Sequence, residues 1–136
     1  MPALTKTTPT CGIEAIQQIN RDVIGTQFVA GIILIAPLCV MFAVYCLLAY
    51  EDIVIWPVLS AAGLYLLSVF GITVVGNVPM NNRLDAMDKS ERAAAAYWQE
   101  YGRNWTRMNH IRCIGSIGTS CLMLAGAFSF VCAPQA

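Results

Sequence analysis

The side chains richest in chemistry lie late in the chain. Trp98, Trp105, Asn109 and Arg112 stand at i, i+7, i+11 and i+14, and Tyr101 and Met108 fill the same stripe. On a helix this spacing projects aromatic rings, an amide and a guanidinium from one face. Two readings fit. One is a membrane-interface belt, with Trp and Tyr at headgroup level and Arg reaching towards phosphate. The other is a ligand pocket. Asn77, Asn81 and Asn82 beside Pro79 favour it, because amides at the end of a membrane span are costly in lipid unless they face protein, water or a ligand. His110, the single histidine, is a side-chain type that accepts a proton near neutrality. It reads as a general base or as a solvated residue where a helix enters the membrane.

Metal and cofactor signals are absent from the pattern. One His, no CxxC, no HExxH and no Glu-x-x-His pair leave nothing with ligand spacing, and no Gly-rich phosphate loop follows a strand. The expectation is a protein with no cofactor and no metal. Six cysteines lie mostly within or at the ends of apolar runs and read as small apolar fillers, with Cys39 and Cys46 on one helix face.

These side chains must be positioned by membrane helices. The chain of 136 residues is 57% apolar and 12% charged, against roughly 25% charged in soluble proteins. Its formal net charge is zero, so no field draws in nucleic acid, and a nucleic-acid partner is excluded. Three uncharged runs, 28–50, 53–76 and 113–133, are each long enough to cross a hydrocarbon core of roughly 30 Å. The fold class is therefore all-α, a membrane helical bundle forming a single domain over 1–136. With no Asp, Glu, Lys or Arg inside the spans, a proton relay or charged ion path lacks its usual parts.

Charge placement sets the orientation. Lys6 and Arg21 precede the first span, and Arg83, Lys89, Arg92, Arg103, Arg107 and Arg112 lie between the second and third. Basic loops stay in the cytoplasm, so 1–24 and 77–112 are expected on the cytoplasmic side of a cytoplasmic membrane. Within 1–27, Ala15, Ile16, Ile19, Val23 and Ile24 recur at helical spacing, as an amphipathic lead-in lying at the interface. Residues 77–88 read as a polar turn marked by Pro79. Asp88 and Glu91 form a capping box that starts an amphipathic, cytoplasmic helix over 89–112, continuing into the third span as one helix over 89–132. Gly102, Gly115 and Gly118 are its candidate kinks. Ser116, Ser120, Gly63 and Gly71 offer close-approach faces for packing.

The runs MPALTKT, GIEAIQQIN, GNVPMNNRL and YWQEYGRNWTRMNHIR, in this order between apolar spans, resemble the anthrone oxygenase-like family of small integral membrane proteins, mostly known as a domain of unknown function. The more specific matches are Pro79 with Asn81 and the series Trp105, Asn109, Arg112. Gln17 and Asn20 sit in a stretch similar to the family's Met-Gln-x-Ile-Asn, with Ile16 in place of Met. The resemblance implies a fourth helix ahead of the MPAL stretch, which would be missing here or supplied by another chain or a homo-oligomer. It also implies a reaction, oxidation of a polycyclic anthrone by dioxygen without metal or flavin. In that reading His110 is the base, Asn109, Arg112, Asn81 and Trp105 are donors to the enolate oxygen, and Trp98 and Tyr101 are flat walls. Asn20 and Gln17 join the substrate-binding set, and the partners are the lipid bilayer and an apolar aromatic small molecule. The competing reading is a non-catalytic membrane accessory or scaffolding protein whose stripe fixes helix packing.

Overall fold

A computed structural model describes residues 1, 3–24, 27–50, 55–90 and 92–132. Among the described residues there is no strand. A 3-10 turn at Leu4–Lys6 leads into α1 (Pro9–Ile24), followed by α2 (Gln27–Ala49) and α3 (Trp56–Tyr65). Two π-helical stretches, Leu66–Gly71 and Thr73–Asn77, then run into α4 (Val78–Asp85), and α5 is Arg92–Cys132. Three runs are long and apolar enough to cross a membrane: Val29–Ala49, Trp56–Asp85 and Arg92–Cys132. Glu51 and Asp52 between the first two uncharged runs, the expected capping residue Glu91 and the tail 133–136 lie outside the described residues.

The local sequence explains these elements. α2 is uncharged throughout and accommodates Pro37 in its interior, while Pro57 sits in the first turn of α3, where its missing N–H has no intrahelical partner to lose. The polar turn expected over 77–88 is instead helical as far as Asp85. An α-helix would need the Pro79 N–H to bond the carbonyl four residues back, which proline cannot do. The chain avoids this by widening, as the Val78 N–H bonds Thr73 O five residues back. Asp88 accepts hydrogen bonds from the Ser90 N–H at 2.8 Å and the Ser90 hydroxyl at 2.7 Å, tying down the short link to α5. That helix runs 41 residues without a break at Gly102, Gly115 or Gly118.

The chain forms two compact units. The first comprises Met1–Ala30 and Ile72–His110, the second Gly31–Gly71 and Ile111–Ala136. Every Lys and Arg except Arg112 falls in the first. Its core joins Ile13 and Ile16 of α1 to Leu84 of α4 and to Ala94, Tyr97, Trp98 and Tyr101 of α5. The buried face of α1 is thus Ile13, Ile16 and Gln17, and Ile19 is exposed. The expected stripe through Ile19 and Val23 differs because Gln17, which counts as polar in a periodicity argument, finds buried acceptors.

In the second unit Ala36, Cys39, Ala62, Tyr65 and Val69 form one apolar cluster and Cys46, Ile55 and Val58 another. Among the described residues no cysteine forms a disulfide, and Cys39 and Cys46 are buried. Close approach occurs at Gly115 on Ser68, at Gly118, where an added Cβ would lie 2.9 Å from Leu64, and at Gly126, 2.8 Å from Val58. These replace the expected Ser116, Ser120, Gly63 and Gly71. Gly63 faces open space, and the Ser120 hydroxyl bonds Ser116 O along its own helix at 3.0 Å.

Candidate functional site: a buried phenol and amides in the first unit

Helical spacing on α5 places Trp98 and Tyr101 one turn apart on its inner face, and both are fully buried. Their rings stack with centroids 5.8 Å apart and planes 15° from parallel, an offset worth about 0.5–1.5 kcal/mol beyond burial. Such a close arrangement needs Gly12. An added Cβ there would lie 2.5 Å from Trp98 Cζ2 and 3.1 Å from Leu4 O.

The Tyr101 hydroxyl donates to Asn81 Oδ1 of α4 at 2.9 Å. Burial pushes the phenol up from its ordinary value, and the Asn20 side chain beside it pulls partly the other way. The group is a neutral hydrogen-bond donor at any physiological pH. The same unit holds other buried polar atoms. Asn20 Nδ2, Trp98 Nε1 and Asn77 Oδ1 are buried and unpaired, and Asn77, one turn before Asn81, is only 4% exposed. Leaving such atoms unsatisfied costs about 1–3 kcal/mol each, so a grouping of them calls for an explanation such as a polar ligand.

Other contacts fix the frame. Gln17 Nε2 donates to Leu84 O at 2.9 Å and to Met87 O at 3.0 Å, tying α1 to the end of α4 and to the link that follows it. Arg21 pairs with Asp85 at 3.0 Å, and Lys89 pairs with Glu14. Arg83 lies 4.2 Å over the Tyr97 ring. Between α1 and the α4–α5 link is a polar cleft of about 300 Å³ lined by Glu14, Gln17, Gln18, Arg21, Asp85, Met87, Asp88 and Lys89.

The remaining sequence candidates are distributed as follows. Trp105 is half-buried against the first unit's core. Asn109 is half-buried, while His110 is exposed. Nine residues at 100° each set His110 half a turn away from Tyr101, on the opposite face of α5. Arg112 belongs to the second unit, half-buried, with a buried Nε that has no hydrogen-bond partner. The structure therefore gathers Trp98, Tyr101, Asn81 and Asn20, uses Gln17 as a clamp, and leaves His110 outside the group. Of the three amides beside Pro79, Asn77 is buried, Asn81 half-buried and Asn82 exposed. The signal for Asn77 was an amide closing an uncharged run four residues before Asn81. Among the described residues, no three His, Cys, Asp or Glu side chains are grouped to hold a metal ion.

The fold and site define an all-helical protein with three helices long and apolar enough to cross a membrane and a polar unit built around a buried phenol–amide pair. The anthrone oxygenase family model matches residues 23–132, and the chain belongs to that family. No curated protein and no solved structure matches it. The matched segment contains Asn77, Asn81, Trp98 and Tyr101; Gln17 and Asn20 lie ahead of it.

Proposed function

We propose that the chain is an integral membrane protein that oxidises polycyclic, anthrone-type aromatic substrates with dioxygen and no cofactor. The observation that carries this reading is the fully buried Tyr101 hydroxyl held on Asn81, with the unpaired Asn20 amide beside it. An anthrone has an acidified C–H opposite its carbonyl. Donors at the carbonyl oxygen stabilise the enolate left when that proton departs to water, which is the role of the Asn20 N–H and, once it turns from Asn81 Oδ1 to the substrate, of the Tyr101 hydroxyl. The enolate transfers one electron to dioxygen, the radical pair joins as a C–O bond, and the resulting hydroperoxide loses water. One dioxygen is consumed, and the C–H₂ carbon becomes the second quinone carbonyl with release of one water. An apolar setting suits this sequence because it keeps the enolate from being reprotonated.

In this reading His110 is not the base for a substrate seated at Tyr101, since it lies on the opposite face of the helix. The parts that would cross the membrane are the uncharged described residues within 29–49, 56–76 and 113–132. The confinement of every Lys and Arg but Arg112 to the first unit supports placing 1–24 and 77–112 on the cytoplasmic side. The lipid bilayer is then the main partner.

A structural role is favoured by one specific observation, the complete burial of Trp98 and Tyr101 against each other. An assay separates the two. Purified protein in detergent, given anthrone and air, should form anthraquinone measured by its absorbance. Tyr101→Phe and Asn20→Ala should each slow it about 100- to 1,000-fold, the scale of a lost oxyanion donor. Unchanged turnover in both variants, or none in the wild type, would leave the scaffold reading standing.

A further inference from the structure

Trp98 and Tyr101 are fully buried, so a three-ring substrate reaches the Tyr101 hydroxyl only if an element of the first unit moves. Two elements cover these rings. α1 lays Gly12 against the Trp98 indole and Asn20 beside the Tyr101 phenol, with Ile13 and Ile16 in the same apolar cluster. α4 contributes Leu84 and Asn81. The backbone anchors α4 at both ends: the Val78 N–H bonds Thr73 O before it, and the Ala86 and Met87 N–H groups bond Asn82 O and Leu84 O after it. α1 is held over the rings by side chains. These are Ile13 and Ile16, the two Gln17 bonds, and the pairs Arg21–Asp85 and Lys89–Glu14. Both ion pairs are exposed, and exposed pairs add little to the hold on an element. They bridge the polar cleft of about 300 Å³ that already parts α1 from the α4–α5 link. Asp88, the remaining carboxylate of that cleft, is taken up by Ser90.

Resting on the oxygenase reading above, we propose that α1 is the lid of the site. It lifts from Trp98 and Tyr101 to admit the aromatic substrate, and on its return it brings the Asn20 amide to the substrate's carbonyl oxygen and excludes water. An element held by a few buried side chains and by exposed bonds opens locally, ahead of global unfolding. α4 and α5 keep their backbone bonds throughout, so the Tyr101–Asn81 pair stays assembled while the lid is open. Gln17, with both amide hydrogens on carbonyls across the seam, sets the closed position of α1.

The test joins hydrogen exchange to a covalent lock, both on the full chain in detergent. Amides of 13–20 in α1 should exchange about tenfold faster or more than those of 97–104 in α5, the mark of local opening. A water-soluble carbodiimide couples an amine to a carboxylate in contact with it, and it should join Lys89 to Glu14 as an amide with loss of one water, identified by mass in the linked peptide. Coupled protein should exchange over 13–20 as slowly as over 97–104, and its anthrone turnover should fall about tenfold or more. Lys89→Arg keeps a cation at the pair but does not couple, so after the same treatment it should retain both the fast exchange and the turnover. Equal exchange of the two segments before coupling, or undiminished turnover after it, would overturn the lid. Fast exchange over 13–20 that coupling slows, in a wild type that does not turn over anthrone, would uphold the motion and overturn the oxygenase reading alone.

Discussion

Replacing Gln17 by Leu separates a clamp from a substrate ligand. Gln17 is buried and gives both amide hydrogens to backbone carbonyls, Leu84 O at 2.9 Å and Met87 O at 3.0 Å. Each such neutral bond contributes about 1 kcal/mol net, so losing both costs about 2 kcal/mol. Leu84 O keeps the Met87 N–H at 3.2 Å, which holds the loss near this value. For a domain of this size, about 4 °C per kcal/mol converts the loss to a melting temperature lower by about 8 °C. Thermal unfolding of detergent-solubilised protein, followed by the fluorescence of the buried Trp98, reads it directly. Gln18→Leu is the control, because Gln18 is exposed and bonds only Asp22, at 3.1 Å; its effect should stay within about 0.5 kcal/mol. A shift below 2 °C for Gln17→Leu together with a raised KM would refute the clamp and return Gln17 to the substrate.

Three other outcomes follow from the same geometry. Gly12→Ala forces a methyl group to 2.5 Å from a fully buried indole; overpacking of about 1–3 kcal/mol exceeds the helix-propensity gain of about 1 kcal/mol, so the melting temperature falls. Tyr101→Phe leaves Asn81 Oδ1 without its donor and should cost about 1–2 kcal/mol in unfolding experiments, in addition to its effect on turnover. Asp88 is held below the usual carboxylate range by the Ser90 N–H and then the Ser90 hydroxyl. A depressed folded-state value means stability present above the unfolded value and lost as pH falls through the folded one, so the melting temperatures of wild type and Asp88→Ala should converge at acid pH.

The spans and the long last helix were legible because uncharged length is a direct physical signal, and Trp56–Asp85 and Arg92–Cys132 are long enough to show it. The partners within the first unit were less so. Gln17 and Asn20 occupy the positions after Ile13 and Ile16 that complete an i, i+3, i+4, i+7 face. Read by polarity alone, they belong to solvent. Their burial depends on carbonyls at 84 and 87 and a phenol at 101, about 65 to 80 residues away in the chain, and no local pattern encodes those acceptors. Trp98, Tyr101 and Asn81 were marked by residue type, yet the stacking of Trp98 on Tyr101 and the bond from Tyr101 to Asn81 are pairings that only packing decides. The outward placement of His110 follows from the register of α5 once its inner face is known.

The π-helical passage ahead of α4 links backbone chemistry to the site. Proline at position 79 withholds the N–H that would continue an α-helix, and the chain answers with the Val78 N–H bonded to Thr73 O. A π-helical turn holds more residues than an α-helical one, so the faces before and after the passage are offset from those of a regular α-helix. Asn77 closes the passage and Asn81 follows it by four residues. In the observed register Asn77 is buried and Asn81 accepts the Tyr101 hydroxyl. The proline that reads as a turn in the sequence thus sits at the start of a helix, α4, that directly continues a π-helical passage, and at Gly76 within that passage an added Cβ would lie 2.5 Å from Met108 Sδ. A site assembled this way ties its hydrogen-bond geometry to the wound state of one short helical segment rather than to loop conformation, as expected where a bundle must hold polar groups beside an apolar medium.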